Sequence, residues 1–234
     1  MNTHWSFTGI QGSQSRRIEV DIHSLVIAGW TGRDADAVER HVRELEAIGV
    51  RRPGTVPVFY RVAAHNLTST QRIDVIGRQS TGEVEFVLVA TSQGLWIGVG
   101  SDHTDRELEK HSVGLSKQVC SKPLATSLWR HDEVAAHWDE LELHSHAHLQ
   151  GERRLYQQGL VNAIRDPADL IQAYCDCARL PQGGLPAGTV MFCGTLPVRG
   201  NIEFADRFEF ELRDPRLDRS LRHAYDIDPL PLAD

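Results

Sequence analysis

With 234 residues, 41% of them apolar and 24% charged, the chain has the composition of an ordinary soluble globular protein, enough for one large domain or at most two small ones. Its formal charge of −7 argues against a nucleic-acid binder, which would present a basic face. No apolar run approaches the roughly 20 residues that span a bilayer, the first residues lack a signal-peptide core, and the four cysteines show no paired CxxC spacing; these features predict reduced thiols in a cytoplasmic protein with no membrane partner.

In chain order, Arg17 to Ala28 alternates and then becomes continuously apolar, which predicts a strand or strand pair. Gly29 to Pro53 reads as turn, helix and turn. Thr31 with Asp34 three residues later resembles a capping box, Val38, Val42, Leu45 and Ile48 form an apolar stripe at helical spacing, and Gly49 stops the helix. On that helix His41 and Glu44 lie at i and i+3 and are surface neighbours. Taken alone, such a pair is most often a solvated helical face and only rarely a catalytic dyad. Pro57 to Arg61 and Arg72 to Gly77 are short extended segments.

Gly82 to Pro123 carries the strongest signal. Glu83 and Glu85 sit two apart in EVEFVLVA, a run whose branched and aromatic residues favour a strand, so both carboxylates face the same way. Thr91 to Gly94 reads as a hairpin turn, and the returning strand LWIGVG leads into Ser101-Asp102-His103. A turn centred between Ser92 and Gln93 sets Glu83 opposite Asp102 and Glu85 opposite Gly100. Directly opposed Cβ atoms are roughly 4.5–5.5 Å apart, so the hairpin gathers three carboxylates beside glycines that leave room. A one-residue slip would turn Asp102 to the other face. Three adjacent carboxylates repel one another unless a cation compensates them, and all-oxygen ligation suits Mg²⁺, Mn²⁺ or Ca²⁺. The alternative is a solvent-facing polar stripe on an edge hairpin.

Beyond Pro123, Trp129, Val134, Trp138 and Leu141 suggest a packed helical or irregular segment. His144, His146 and His148 alternate; on a strand they share a face that could bind a transition metal, or simply form a polar surface. Pro167 to Cys177 reads as a helix opened by proline. Leu185 to Thr195 reads as turn, apolar strand and Gly-Thr corner, and Phe204 to Leu212 alternates as a late strand.

E-x-E on one strand, then Asp102, Thr104 and Arg106 in a G-x-D-x-(S/T)-x-R setting, resembles the fumarylacetoacetate hydrolase superfamily. The resemblance covers roughly residues 29 to 227. It implies a single domain, mostly β (α+β), in which a rolled mixed sheet carries a few peripheral helices and residues 1–28 add an N-terminal strand region. Glu83, Glu85 and Asp102 match the superfamily's metal ligands, and Lys117 in SKQVCSKP its active-site lysine. GWTGRDADAVERHVRE keeps the Gly and H-x-x-E of its water-activating segment but lacks the Asn-Tyr, which makes His41 and Glu44 the corresponding dyad. Pro57 to Arg61 resembles P-x-F-x-K with Arg61 in place of Lys, a cation of different shape. Leu185 to Thr195 resembles the segment whose Gly-Thr corner, here Gly194 and Thr195, approaches the substrate, with Thr189 in place of the usual Asp. GWTGRD, GSDHTDR and the SKQ–C–KP segment are closer still to one bacterial branch of the superfamily, a relation that supplies no substrate.

The resemblance implies a hydrolase that cleaves a carbon–carbon bond in a small oxo-carboxylic acid such as an acylpyruvate, with Mg²⁺ or Mn²⁺, or Ca²⁺, holding an enolate. His41 steered by Glu44 would be the general base, Lys117 would stabilise the oxyanion, and Arg61 or Arg106 would hold a substrate carboxylate. Decarboxylase, isomerase or hydratase chemistry on the same metal, or a binding protein with a relic site, are the alternatives. Assembly as a homodimer is a further expectation of the family.

Overall fold

A computed structural model describes residues 3–47, 53–181 and 183–231, without the side chains of residues 41, 44, 45 and 47. The strands are β1 (Thr3–Gln11), β2 (Gln14–Ile22), β3 (Ser24–Gly29), β4 (Val58–Val62), β5 (Arg72–Ile76), β6 (Val84–Thr91), β7 (Gly94–Ser101), β8 (Ser127–Arg130), β9 (Glu142–Leu149), β10 (Glu152–Leu160), β11 (Thr189–Thr195), β12 (Arg207–Asp214) and β13 (Arg219–Leu230). Three helices matter below: α1 (Ala35–Ala47), α2 (Val113–Gln118) and α3 (Pro167–Ala178).

Eight strands form one mixed sheet in the order β2-β1-β8-β7-β6-β11-β3-β4, and five form a second in the order β10-β9-β12-β13-β5. The parallel pairs are β1 with β8, β3 with β11, and β5 with β13. The predicted strand pair at Arg17 to Ala28 is β2 and β3, and β3 lies inside the large sheet between β11 and β4. Among the described residues no helix is long and apolar enough to cross a membrane.

Strand β6 is central, which explains its unbroken apolar run. Phe86 and Leu88 face the second sheet and pack in one core with Phe208, Phe210 and Leu212. Val87 and Val89 face the other way, into a core closed by the curl of the large sheet around Phe7, Ile22, Leu25, Trp96, Leu128 and Phe192. A strand buried on both faces has no reason to alternate.

Helix α1 begins three residues later than a Thr31 cap would start it. Asp34 Oδ1 accepts from the backbone N–H groups of Asp36 and Ala37, each at 3.0 Å, so Asp34 is the capping residue. Thr31 is buried against Gly194 instead. The predicted stop at Ile48 and Gly49 lies outside the described residues. Asp166 caps α3 through Ala168 N at 2.8 Å, with Pro167 opening the helix. Cys120, Cys175, Cys177 and Cys193 are all free thiols.

Candidate metal centre

The β6–β7 hairpin has the register the turn predicts. Glu85 pairs with Gly100 and Val84 with Ser101, and the Asp102 N–H donates to the Glu83 carbonyl at 2.9 Å. One carboxylate oxygen from each of Glu83, Glu85 and Asp102 lies within 4.8 Å of the others, the one such group of His, Cys, Asp or Glu ligands among the described residues. The glycines do not make the room for it. A Cβ on Gly100 would stand 2.5 Å from the Phe192 ring, and one on Gly98 would stand 2.9 Å from Leu128, so both serve the packing of the inner core.

Each carboxylate is held by a different device. Glu83 faces Arg106, whose Nη2 is 2.9 Å from its Oε1. The same guanidinium donates through Nε to Thr81 Oγ1 at 2.7 Å and through Nη1 to Glu109 at 2.8 Å, which fixes it as a strut for Glu83. Asp102 is fully buried and receives Lys117 Nζ on Oδ2. Lys122 Nζ, also fully buried, lies 3.0 Å from Asp102 Oδ1 and also donates to the His103 carbonyl at 2.5 Å. Glu85 is held through Oε2 by the Gly194 N–H at 2.7 Å.

That last contact depends on an irregularity. The β11–β6 ladder breaks between Phe192 and Thr195, and Gly194 sits in the break at φ +101°. A β-bulge of this kind re-aims one backbone group, and here it turns an N–H onto a buried carboxylate. A side chain at 194 would collide with Thr31 Oγ1 and stand 3.1 Å from Thr31 Cβ. Only glycine meets both demands.

Electrostatics follow from burial. Glu85 is held well above the usual carboxylate range, first by burial and then by Asp102, with Lys117 only partly offsetting them. Burial acts on Asp102 in the same direction, but Lys117 and Lys122 outweigh it and bring the group below its ordinary value. Lys117 is likewise penalised by burial, and Asp102, Glu83 and Glu85 more than restore its charge. The fit to a divalent cation rests on three converging carboxylates, Glu85 and Asp102 buried and Glu83 partly so, and on Glu85 having no cationic side chain paired with it among the described residues. Hard ions such as Mg²⁺ or Mn²⁺ suit that donor set.

Behind the cluster runs a buried polar chain. Glu83 N–H donates to Ser101 Oγ at 3.2 Å, Ser101 meets Tyr225 OH at 2.9 Å, Tyr225 meets His103 Nδ1 at 2.8 Å, and His103 Nε2 meets Ser80 Oγ at 2.9 Å. Burial, reinforced by Lys122 and Arg106, pushes the His103 imidazole down to about 3, so the ring is neutral and one nitrogen must accept. Gln157 is a second hub. Its Oε1 accepts from Val84 N and Ser145 Oγ, both at 3.0 Å, and its Nε2 donates to Thr195 Oγ1 at 2.7 Å and Leu196 O at 2.6 Å.

The cluster opens into a cavity of about 720 Å³ whose lining includes Glu83, Glu85, Arg106, Lys117, Gly194 and Thr195. The Gly-Thr corner reaches the cavity, but its groups are engaged. Thr195 donates its one hydroxyl proton to Val84 O at 2.8 Å, so it has none to offer a substrate carboxylate. Arg61 is exposed and outside the lining; its neighbour Tyr60 lines the cavity instead. Asp34, Ala37 and Val38 of the α1 start also line it. His41 and Glu44 continue that helix, and their side chains lie outside the described residues.

The histidines of β9 do not form a metal cluster with one another. His148 Nε2 bonds Glu209 Oε1 at 2.9 Å and His144 Nε2 lies 3.7 Å from Glu142, on the outer face of the second sheet. Sequence reasoning missed Lys122, Gln157, Tyr225 and His103. For Lys122 a signal existed, because it precedes Pro123 in the same SKQVCSKP stretch as Lys117.

Fold and cluster together define a rolled, two-sheet β protein whose carboxylate triad is consistent with a divalent cation. The chain belongs to the family described as "Protein of unknown function (DUF2848)", whose model matches residues 28–225. No curated protein matches it. Its fold is that of fumarylacetoacetate hydrolase-type structures. A protein from Burkholderia cenocepacia assigned as a fumarylpyruvate hydrolase superposes with a TM-score of 0.62 at 19% identity, covering 98% of this chain and 96% of that one. Yeast ynq8, a fumarylacetoacetate hydrolase family protein, superposes with a TM-score of 0.65 at 14% identity over 91% and 96%. A 2-keto-3-deoxy-D-arabinonate dehydratase complexed with magnesium and 2,5-dioxopentanoate superposes with a TM-score of 0.60 at 18% identity over 95% and 79%.

Proposed function

We propose that the chain is a divalent-metal-dependent enzyme of the fumarylacetoacetate hydrolase superfamily that cleaves a carbon–carbon bond in an acylpyruvate-like oxo acid. The observation that carries this reading is the carboxylate triad at the floor of a cavity, with a buried lysine against it. Support also comes from the fold shared with a dehydratase that holds magnesium and a dioxo acid.

Glu83, Glu85 and Asp102 would hold the ion, which when bound supplies a Lewis acid for the adjacent oxygens of an oxo acid and for charge that develops on them. Lys117 keeps its ammonium charged and lines the cavity, where it can donate to an oxygen turning anionic. Arg106 lines the cavity and holds Glu83. His41, with Glu44, takes the proton of a water whose oxygen adds to the outer carbonyl carbon; the bond from that carbon to the central carbon then breaks, releasing a carboxylic acid, and the central carbon, left as an enolate, is reprotonated. A chelator-sensitive release of pyruvate from acylpyruvates, lost in Glu85→Ala, is the expected result. His41→Ala should lower kcat by roughly 10²–10⁴-fold while leaving oxalate affinity nearly unchanged. Absence of metal-dependent turnover across acylpyruvates would overturn the hydrolase. If water elimination from a 2-keto-3-deoxy sugar acid appears instead, the dehydratase-like chemistry of the structural relative takes its place.

A further inference from the structure

We infer that the cavity selects an oxo acid with a single carboxylate and an apolar or aromatic tail, in preference to a dicarboxylate or a polyhydroxy acid. The inference rests on the reading of the metal centre above and concerns the remaining lining of the same cavity.

The lining is of two kinds. Glu83, Glu85, Arg106 and Lys117 gather at the cluster, and Trp30, Val38, Tyr60, Val113 and Ile202 supply apolar surface, with Asp34, Glu109 and Lys110 also in the lining. The apolar residues come from five separate places: the end of β3, α1, β4, α2 and the segment before β12. The indole N–H of Trp30, a donor only, bonds the Tyr60 hydroxyl oxygen. Trp30 is held at φ +59°, a left-handed conformation that costs a non-glycine residue about 1–2 kcal/mol. Strain of this kind is retained where it places a side chain, and here it sets an indole in the cavity wall.

Size and charge agree. About 720 Å³ falls within the roughly 300–1,000 Å³ of sites for drug-sized ligands, far beyond the few atoms of a bare oxo-acid head. The described lining carries four carboxylates, Asp34, Glu83, Glu85 and Glu109, against three cations, Arg106, Lys110 and Lys117. Each of these cations already has an acidic partner, so a distal substrate carboxylate would have to compete for one. Arg106 is held by Glu83 and Glu109, Lys117 by Asp102, and Lys110 by Glu107 at 2.6 Å.

The test is calorimetric titration of the full chain loaded with Mg²⁺, using probes that lack the 4-oxo group and so cannot be cleaved: oxalate, 2-oxobutanoate, 2-oxo-4-phenylbutanoate and 2-oxoglutarate. The phenyl compound should bind about tenfold or more tightly than 2-oxobutanoate, the scale of one ring entering an aromatic-lined site. 2-Oxoglutarate should gain nothing over 2-oxobutanoate. Trp30→Ala should erase the phenyl gain, and Ile202→Lys should raise the affinity for 2-oxoglutarate relative to the phenyl compound. Magnesium-dependent oxalate binding with no phenyl advantage, or a preference for 2-oxoglutarate in the unmodified protein, overturns this inference and leaves the metal centre standing. Failure of oxalate to bind in a magnesium-dependent way overturns the metal reading beneath it.

Discussion

Replacing Gly194 with alanine isolates the device that aims Glu85. The backbone at 194 is at φ +101°, where an L side chain is strained by about 1–2 kcal/mol. The added methyl also meets Thr31, whose Cβ would be 3.1 Å away with the hydroxyl closer still, and crowding of this sort in a packed region costs about 1–3 kcal/mol. The two together predict a destabilisation of about 2–5 kcal/mol, read from urea unfolding followed by tryptophan fluorescence. Relief of the strain would pull the N–H away from Glu85 Oε2, now at 2.7 Å, and loss of a partner that orients a metal ligand typically weakens metal binding by about 10–100-fold. In a Thr31→Ala background the crowding part should be recovered and the conformational part should persist, so the two substitutions should be coupled. A Gly194→Ala protein within about 0.5 kcal/mol of the parent and with unchanged Mn²⁺ affinity would refute the argument.

Glu85→Ala should abolish Mg²⁺ and Mn²⁺ binding by calorimetry while leaving the far-ultraviolet circular dichroism intact, because it removes one of three mutually repelling carboxylates. Gln157→Leu should destabilise the fold by about 2–4 kcal/mol in urea unfolding, since it leaves Val84 N and Leu196 O buried without their partners. Asp214 titrates below its ordinary range: burial opposes this, but the bonds from His137 and Leu217 N and the nearby Arg219 outweigh it. Its stabilising contribution is therefore complete above the unfolded carboxylate value, near pH 4, and is lost as pH falls through the lower folded value. Urea midpoints measured from pH 3 to 7 should fall less steeply at the acid end in Asp214→Asn than in the parent.

The hairpin was legible because everything that fixes it is local. A two-residue turn, unbroken apolar strands and an E-x-E pair set a register in which Glu85 meets Gly100. The cap of α1 was read one step wrong because Thr31 and Asp34 are both capping residues; what separates them is Gly194, far away in sequence, pressing on Thr31. The same limit hides Gln157, which bonds Val84 across 73 positions, and Tyr225, which bonds His103 across 122. Neither carries a local pattern. The family pattern also marked residues whose groups prove to be engaged elsewhere: Thr195 ties Val84 to Gln157, and Arg106 braces Glu83. Spacing places a residue in the cavity wall, but only the partners of its atoms decide what it can do there.

Those partners also single out the carboxylate on which the site turns. Glu83 has Arg106, and Asp102 has Lys117 with Lys122 close by. Glu85 has one backbone N–H and no cationic side chain within ion-pair distance among the described residues. A backbone dipole is a weak partner for a charge excluded from water, and the repulsion from Asp102 adds to the burial cost. Replacing Glu83 or Asp102 would strand a cation built to face it, and the loss of metal binding would then be mixed with damage to the fold. Replacing Glu85 strands no side chain. It is the one ligand whose removal separates the cation site from the structure that carries it.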